Sequence, residues 1–297
     1  CEDCSRWDLL DLVRMTRALR PEGIEWPYAP DGKPTNRLEF LTKVNGLDHE
    51  KAHDALNDVM ASIDVARLIR TKNKDLFEYL LGMRDKNKVK ELVDRPEPFI
   101  YASGRYPGVQ LHTTAAVAVA KHPEQPLSYV YDLRHDPTPF LDMTVEQLVE
   151  AARYSRDSAH VQLPVKPLRY NRCPAVAPMG VVKDPATQER LQLDLADVQR
   201  HLSQLRSDPG FGARVAEAFA ALEAERPGQG ELFGSEHAVD GQLYDGFLSK
   251  QDKPAMQQVR TASADECAKL DITFQDKRLK ALFPLFKARN HPKCLTD

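Results

Sequence analysis

Apolar positions along the first seventy residues recur at spacings of three and four, the period of amphipathic helices. Asp8 is placed to cap a helix carrying Leu9, Leu10, Leu12, Val13, Met15 and Leu19, which Arg20-Pro21-Glu22-Gly23 would stop. A Pro- and Gly-rich loop from Pro21 to Pro34 follows, and Thr35 is then placed to cap a short helix whose Leu38 and Leu41 face a core. Asn45-Gly46 ends it. Asp48 opens a long helix with a stripe of Ala52, Leu56, Val59, Met60, Ile63, Val65, Ala66 and Ile69. Thr71 to Lys74 reads as a polar break, and a helix from Asp75 carries Leu76, Leu80 and Leu81 toward a basic run, Arg84 to Lys90.

From Pro96 the pattern shortens to β-favouring runs, Phe99 to Ala102, Leu111 to Val119 and Leu127 to Leu133, separated by Gly104, Pro107, His122-Pro123 and Pro126. A helix through Val145 to Tyr154, a strand-like Pro174 to Val182 and a helix through Leu193 to Leu205 complete the middle of the chain. After a loop at Pro227 to Gly230 the pattern is mostly helical, with Gln257 to Thr261 and Lys277 to Ala288 as candidates.

With 297 residues, two or three domains are expected. A content of 42% hydrophobic and 29% charged residues fits a folded chain and excludes disordered and collagenous classes. No apolar run reaches the roughly 18 residues that span a bilayer, and no signal peptide opens the sequence. The expected location is therefore cytoplasmic, without a membrane partner. Five cysteines, Cys1, Cys4, Cys173, Cys267 and Cys294, suit free thiols better than a disulfide framework. Cys1-x-x-Cys4 lacks a second ligand pair at zinc spacing. The first residue is Cys rather than Met, which suggests that the natural chain begins upstream.

A net charge of −3, from 41 basic and 44 acidic residues, does not by itself announce a nucleic-acid partner. The basic residues are nevertheless clustered: Arg14, Arg17 and Arg20; Arg84, Lys86, Lys88 and Lys90; Lys166, Arg169 and Arg172; and Lys277, Arg278, Lys280, Lys287 and Arg289. A solvated face explains one such cluster more easily than four.

Candidate chemistry lies on the long helix, where His53 to Asp58 fits H-x-A-x-x-D. A carboxylate can hold a divalent cation, and an imidazole about one turn earlier can take a proton from metal-bound water. Ala55 between them leaves room for a substrate backbone. His49 and Asp54 have the same spacing, but Lys51 takes the third position, where a bulky cation competes with metal. Spacing alone also fits an exposed His and Asp on a polar helix face.

Several runs resemble the bacterial exodeoxyribonuclease I family: Ser5-Arg6-Trp7-Asp8-Leu9-Leu10-Asp11, Ala18-Leu19-Arg20-Pro21-Glu22-Gly23-Ile24, Arg37-Leu38-Glu39 and Ala52-His53-Asp54-Ala55. Ser103-Gly104, His122-Pro123-Glu124, Pro164-Val165-Lys166, Gly241-Gln242-Leu243-Tyr244, Leu270-Asp271-Ile272-Thr273-Phe274 and Ala288-Arg289-Asn290 extend the likeness over nearly the whole chain. The resemblance implies an α/β plus α+β fold in three parts. These are the C-terminal part of a ribonuclease-H-like exonuclease domain (1–74), an SH3-like β-rich domain (75–227) and a truncated helical domain (228–297). The implied reaction is 3′ to 5′ hydrolysis of single-stranded DNA to nucleoside 5′-monophosphates in repair and recombination, with Mg²⁺ as cofactor. His53 matches the family's general base and Asp58 the last of four metal-binding acids.

The remaining carboxylates of that pattern would lie upstream of Cys1, since the only D-x-E here is Asp48-His49-Glu50 at a helix start. One carboxylate cannot hold two hard cations, so the chain alone is expected to be inactive. Its apolar stripe on the long helix would then face no sheet. By the same resemblance Arg14, Arg37, Lys86, Lys166 and Asn171 match DNA-contacting positions. Arg20 and Tyr79 match part of a surface for the acidic, Phe-ending tail of single-stranded DNA-binding protein. An arginine for a terminal carboxylate beside an apolar hollow is a sound pairing. A monomer is expected. Two other readings stand beside the enzyme: a non-catalytic DNA- and protein-binding module, and an RNA-trimming exonuclease of the same superfamily, which would lack the later domains.

Overall fold

The computed structural model describes residues 7–47, 55–153, 155, 160–225 and 248–292. It divides into two compact units, residues 1–222 and 223–297. The first is organised on a five-stranded antiparallel sheet: β1 Phe99–Ala102, β2 Thr113–Lys121, β3 Leu127–Asp132, β4 Val165–Arg169 and β5 Ala175–Pro178, in the order β4-β3-β2-β1-β5. Phe99 pairs with Ala116 on one side and Pro178 on the other, and the β2–β3 register shifts between Ala118 and Ala120.

Successive side chains of a strand point to opposite faces, and here both faces are covered. Ile100, Ala102, Ala115, Val117, Tyr129, Tyr131, Ala175 and Ala177 join a core with Leu12, Met15 and Leu19 of helix α1 (Leu9–Leu19). Their alternates Phe99, Tyr101, Ala116, Val130 and Val176 join a second core with Met83, Val89, Leu92 and Val93. Three of those last residues belong to α5 (Lys86–Val93), so the run expected only as basic charge is a helix with one apolar side. Double coverage explains why β1 and β3 read as nearly unbroken apolar runs rather than alternating ones.

Helix α1 is stopped and started as its sequence predicts. The Asp8 carboxylate accepts from Leu10 N–H at 2.9 Å, and the helix ends at Arg20. The loop after it is tied down by Arg17, which is 3% exposed and donates to the carbonyls of Thr35 (2.6 Å) and Pro27 (3.0 Å). Thr35 does not cap the next helix, α2 (Leu38–Val44); Arg37 is its first flanking residue, and the Thr35 hydroxyl instead accepts from Arg37 N–H. Helix α3 is described over Ala55–Lys72, so its expected opening at Asp48 lies outside the described residues. The break after it is one residue, Asn73, before α4 (Lys74–Gly82).

The expected stripe of α3 is only half used. Val65 and Ile69 are buried, but Leu56, Val59, Met60 and Ile63 are exposed at 39–66%. Further on, α6 (Thr138–Leu141) and α7 (Val145–Ala152) precede β4, which the Pro-flanked Lys166 to Arg172 stretch concealed. The strand-like run at 174–182 is half strand; β5 gives way to a 3₁₀ turn at Met179–Val182. Three helices then close one side: α8 (Pro185–Leu191), α9 (Leu195–Ser207) and α10 (Phe211–Ala224). Phe219 of α10 stacks on Tyr129 at 4.5 Å between centroids.

In the second unit, α11 (Asp252–Thr261), α12 (Ala264–Lys269) and α13 (Lys277–Asn290) surround a small core of Val259, Phe274 and Leu279. Asp252 is 2% exposed and accepts from the backbone N–H groups of Gln275 and Asp276, fixing the loop that enters α13. Among the described residues neither Cys173 nor Cys267 is in a disulfide. Cys1, Cys4 and Cys294 lie outside them. No described helix is long and apolar enough to cross a membrane.

Gly212 shows how closely α10 approaches the sheet, since a Cβ there would lie 2.2 Å from the Val119 carbonyl oxygen. Gly212→Ala should therefore destabilise the chain by about 1–3 kcal/mol. That is the opposite sign to the gain of about 1 kcal/mol expected from helix propensity. Urea denaturation gives the answer directly.

Candidate nucleic-acid interface

Three segments far apart in sequence meet at one end of the sheet. The N-terminal turn of α1 brings Asp8 and Asp11, the segment after β1 brings Ser103 and Arg105, and β4 with its 3₁₀ turn (Tyr170–Arg172) brings Arg169, Asn171 and Arg172. Together with Tyr101, Pro167 and Pro174 they line a groove of about 230 Å³. The β1–β2 connection is held by Ser103 N–H donating to the His112 carbonyl (2.8 Å) and by His112 Nδ1, 2.8 Å from the Tyr106 carbonyl. Leu111 and His112 both take positive φ, 52° and 57°. Left-handed backbone at two non-glycine residues costs on the order of 1–3 kcal/mol each and persists only where the surroundings impose it.

Arg14 lies under this loop. Its Nη1 donates to Asp11 Oδ1 at 2.6 Å, and its guanidinium packs so tightly on Gly104 that a Cβ there would come within 2.7 Å of Nη2. Burial raises the Asp11 carboxyl above its ordinary range, against the opposing pull of Arg14. Lys166 donates to the Arg105 carbonyl and sits 4.5 Å over the Tyr106 ring. Burial lowers its pKa, with Asp132 opposing that shift and Arg105 reinforcing it. Arg105 in turn donates to the Pro167 carbonyl at 3.1 Å, and Arg169 to Gln125 at 2.8 Å. Three arginines and an amide in the groove can take phosphate oxygens, with the two carboxylates opposing them.

Of the sequence-predicted residues only Asn171 lines the groove; Arg14 and Lys166 contact the neighbouring loop at Gly104 and Arg105, and Arg37 and Lys86 do neither. Arg37 is exposed at the start of α2, 3.8 Å from Glu39, and Lys86 is exposed at the start of α5. Arg105 escaped the sequence reading because it stands alone between Gly104 and Tyr106. Only the return of β4, some sixty residues later, gives it neighbours.

A second basic point forms at the C-terminal end of α1. Arg20 donates to the Leu19 carbonyl (2.5 Å), and Arg190 of α8 donates to the Ala18 carbonyl (3.0 Å). Both guanidinium groups occupy the negative end of the helix dipole. Tyr79, on α4, is 37% exposed, and its partial burial raises its pKa. Arg190 carried no sequence signal, being 172 residues from its acceptor.

His53 lies outside the described residues. Asp58 is exposed in the first turn of α3 and borders an apolar groove with Trp7, Leu9, Val59, Ser62, Ile63 and Ala66. Its carboxylate is a hard oxygen donor of the kind Mg²⁺ takes. Among the described residues, however, no three His, Cys, Asp or Glu side chains converge. The described residues alone do not amount to a site for a hard dication.

The family model of the exonuclease I SH3-like domain matches residues 84–221, the span holding the five strands, and that of the exonuclease I C-terminal domain matches residues 237–297. Exodeoxyribonuclease I of Escherichia coli strain K12 is 37% identical over 99% of the chain. The chain belongs to the exonuclease I family. It spans 61% of the length of that relative and of the exodeoxyribonuclease I of Haemophilus influenzae, also 37% identical. The crystal structure of E. coli exonuclease I in complex with a dA16 oligonucleotide superposes with a TM-score of 0.87 at 37% identity, covering 99% of this chain and 62% of that one. An exonuclease I complex with SSB-Ct superposes with a TM-score of 0.83 at 36% identity, covering 99% and 61%. Exonuclease I relatives thus share both the SH3-like sheet and the helices around it.

The partly buried Asp11 makes a pH dependence visible without any ligand. A carboxyl whose folded pKa is raised binds its proton more tightly in the folded state, so its contribution to stability declines as pH rises from the ordinary carboxylate range through the raised value. Asp11→Asn should match the parent near pH 3 and exceed it increasingly toward neutrality, as read from urea midpoints across pH.

Proposed function

We propose that this chain is the DNA-holding part of a 3′ to 5′ exodeoxyribonuclease that degrades single-stranded DNA to nucleoside 5′-monophosphates in repair and recombination. The observation that carries this proposal is the groove where Arg105, Arg169, Arg172 and Asn171 converge beside Arg14. Arginine forks neutralise phosphates whatever base follows, which fits a strand passing through without sequence preference. The exonuclease I structure with dA16 supports the same ligand class.

Within this proposal His53 is the general base, and Asp58 is one ligand of a divalent cation, Mg²⁺. The 297 residues alone do not cleave, because a two-metal hydrolysis needs several hard oxygen donors and this sequence supplies one at a matching position. That leaves the chain itself acting as a single-strand and protein-binding module. Arg20, Arg190 and Tyr79 form its surface for the acidic tail of single-stranded DNA-binding protein, supported by the exonuclease I complex with SSB-Ct. The proposed setting is a monomer in the bacterial cytoplasm.

Titrating a fluorescent oligo-thymidylate across a salt series tests the groove. Arg172→Ala should weaken binding and flatten the slope of log affinity against log salt by about 0.7, one single-strand phosphate contact. An unchanged slope removes the groove from the DNA path. Incubating the same chain with a 3′-labelled strand and Mg²⁺ should release no nucleotide, and release abolished by His53→Ala would overturn the inactivity.

A further inference from the structure

Tyr28 has the most exposed aromatic ring among the described residues, 63% open to solvent, yet it is held firmly. It sits in a small hairpin that the Pro- and Gly-rich composition of residues 21–34 concealed. Tyr28 bridges Pro34 in antiparallel fashion, Ala29 N–H donates to the Lys33 carbonyl at 2.8 Å, and Gly32 turns the chain at φ 77°. Under the ring lies the guanidinium of Arg17, 5.1 Å from its centroid, and Arg17 is also 5.5 Å from the Trp26 ring. That guanidinium is fixed by the carbonyls of Pro27 and Thr35 and by Asn36. The Tyr28 ring therefore sits beside a fixed cation, whose charge its hydroxyl helps to stabilise, while most of the residue remains accessible.

Arg37 follows Pro34 by three residues, within roughly 10 Å of chain. Its side chain is 71% exposed and lies 3.8 Å from the Glu39 carboxylate, which a phosphate would have to displace. A tyrosine needed only to cover Arg17 would gain by turning its ring inward. A rigid, open ring beside an exposed arginine instead matches how unpaired bases are held, by stacking on an aromatic while a cation meets the neighbouring phosphate. Because the ring is already immobilised, little side-chain freedom is lost on stacking.

We propose that Tyr28 is a stacking platform for one base of a bound single strand, with Arg37 meeting an adjacent phosphate. This extends the DNA-holding role above and rests on it.

The test uses the full chain and an oligo-thymidylate carrying 2-aminopurine at successive positions, whose fluorescence is quenched by stacking. Tyr28→Phe should bind and quench like the parent. Tyr28→Leu keeps an apolar cover over Arg17 but has no π face; it should lose quenching and about 5- to 100-fold in affinity, with an unchanged salt slope. Tyr28→Trp should restore both. Affinity and quenching that survive Tyr28→Leu, or a loss that Trp does not restore, overturn the platform. Arg172→Ala separates the two ideas: if it flattens the salt slope while Tyr28→Leu changes nothing, the groove stands and the platform falls. If neither variant alters binding, both fall.

Discussion

Helix α1 is buried along most of its length, and the rest of the first unit is arranged to make that burial possible. Leu12, Val13, Met15, Thr16, Arg17, Ala18 and Leu19 are all nearly inaccessible. A helix enclosed this completely must place every polar side chain it carries, because an unpaired donor or charge in such surroundings is expensive. Its polar residues are accordingly committed. Thr16 returns its hydroxyl to the Leu12 carbonyl, Arg17 fastens the following loop, Arg14 is paired with Asp11 beneath Gly104, and Arg20 turns back to the helix end. The groove, the hairpin and the basic point at the C-terminus are thus three consequences of one buried element.

The sheet is subject to a related constraint. With cores on both faces it must carry apolar residues at consecutive positions, and two of its polar side chains are paired inside: Thr114 donates to Asp132, and Ser128 meets Tyr170 at 2.6 Å. Polar chemistry is therefore displaced to the strand ends and connections, which is where Ser103, Arg105, Asn171 and Arg172 are found. The strained pair Leu111 and His112 lies in the connection that closes over Arg14.

Legibility in the sequence followed how local each signal was. The Asp8 cap, the end of α1 and the runs of β1 and β3 depend on neighbouring residues and were readable. Strand β4 was not, because Pro167 and the cations Lys166 and Arg169 masked five residues whose pairing is decided by β3. The helices α8 and α10 likewise went unread between Pro- and Gly-containing stretches. The triplet Arg14, Arg17 and Arg20 looked like one basic patch, whereas burial of the helix assigns each to a different place. Asp58 was singled out by the H-x-A-x-x-D spacing and the family resemblance, whereas Arg105 and Arg190 had no local signal at all, since their partners arrive sixty to 172 residues away.

The bond from Arg190 to the Ala18 carbonyl carries a consequence for how the protein is made. A ribosome releases α1 long before β1, β2, β5 and α8 exist to enclose it. Some 170 further residues must emerge before its last turn is covered. At about 5–20 residues per second, that interval is on the order of ten to thirty seconds. During that time an amphipathic helix waits without its partners, its apolar side open to whatever meets the chain at the tunnel exit.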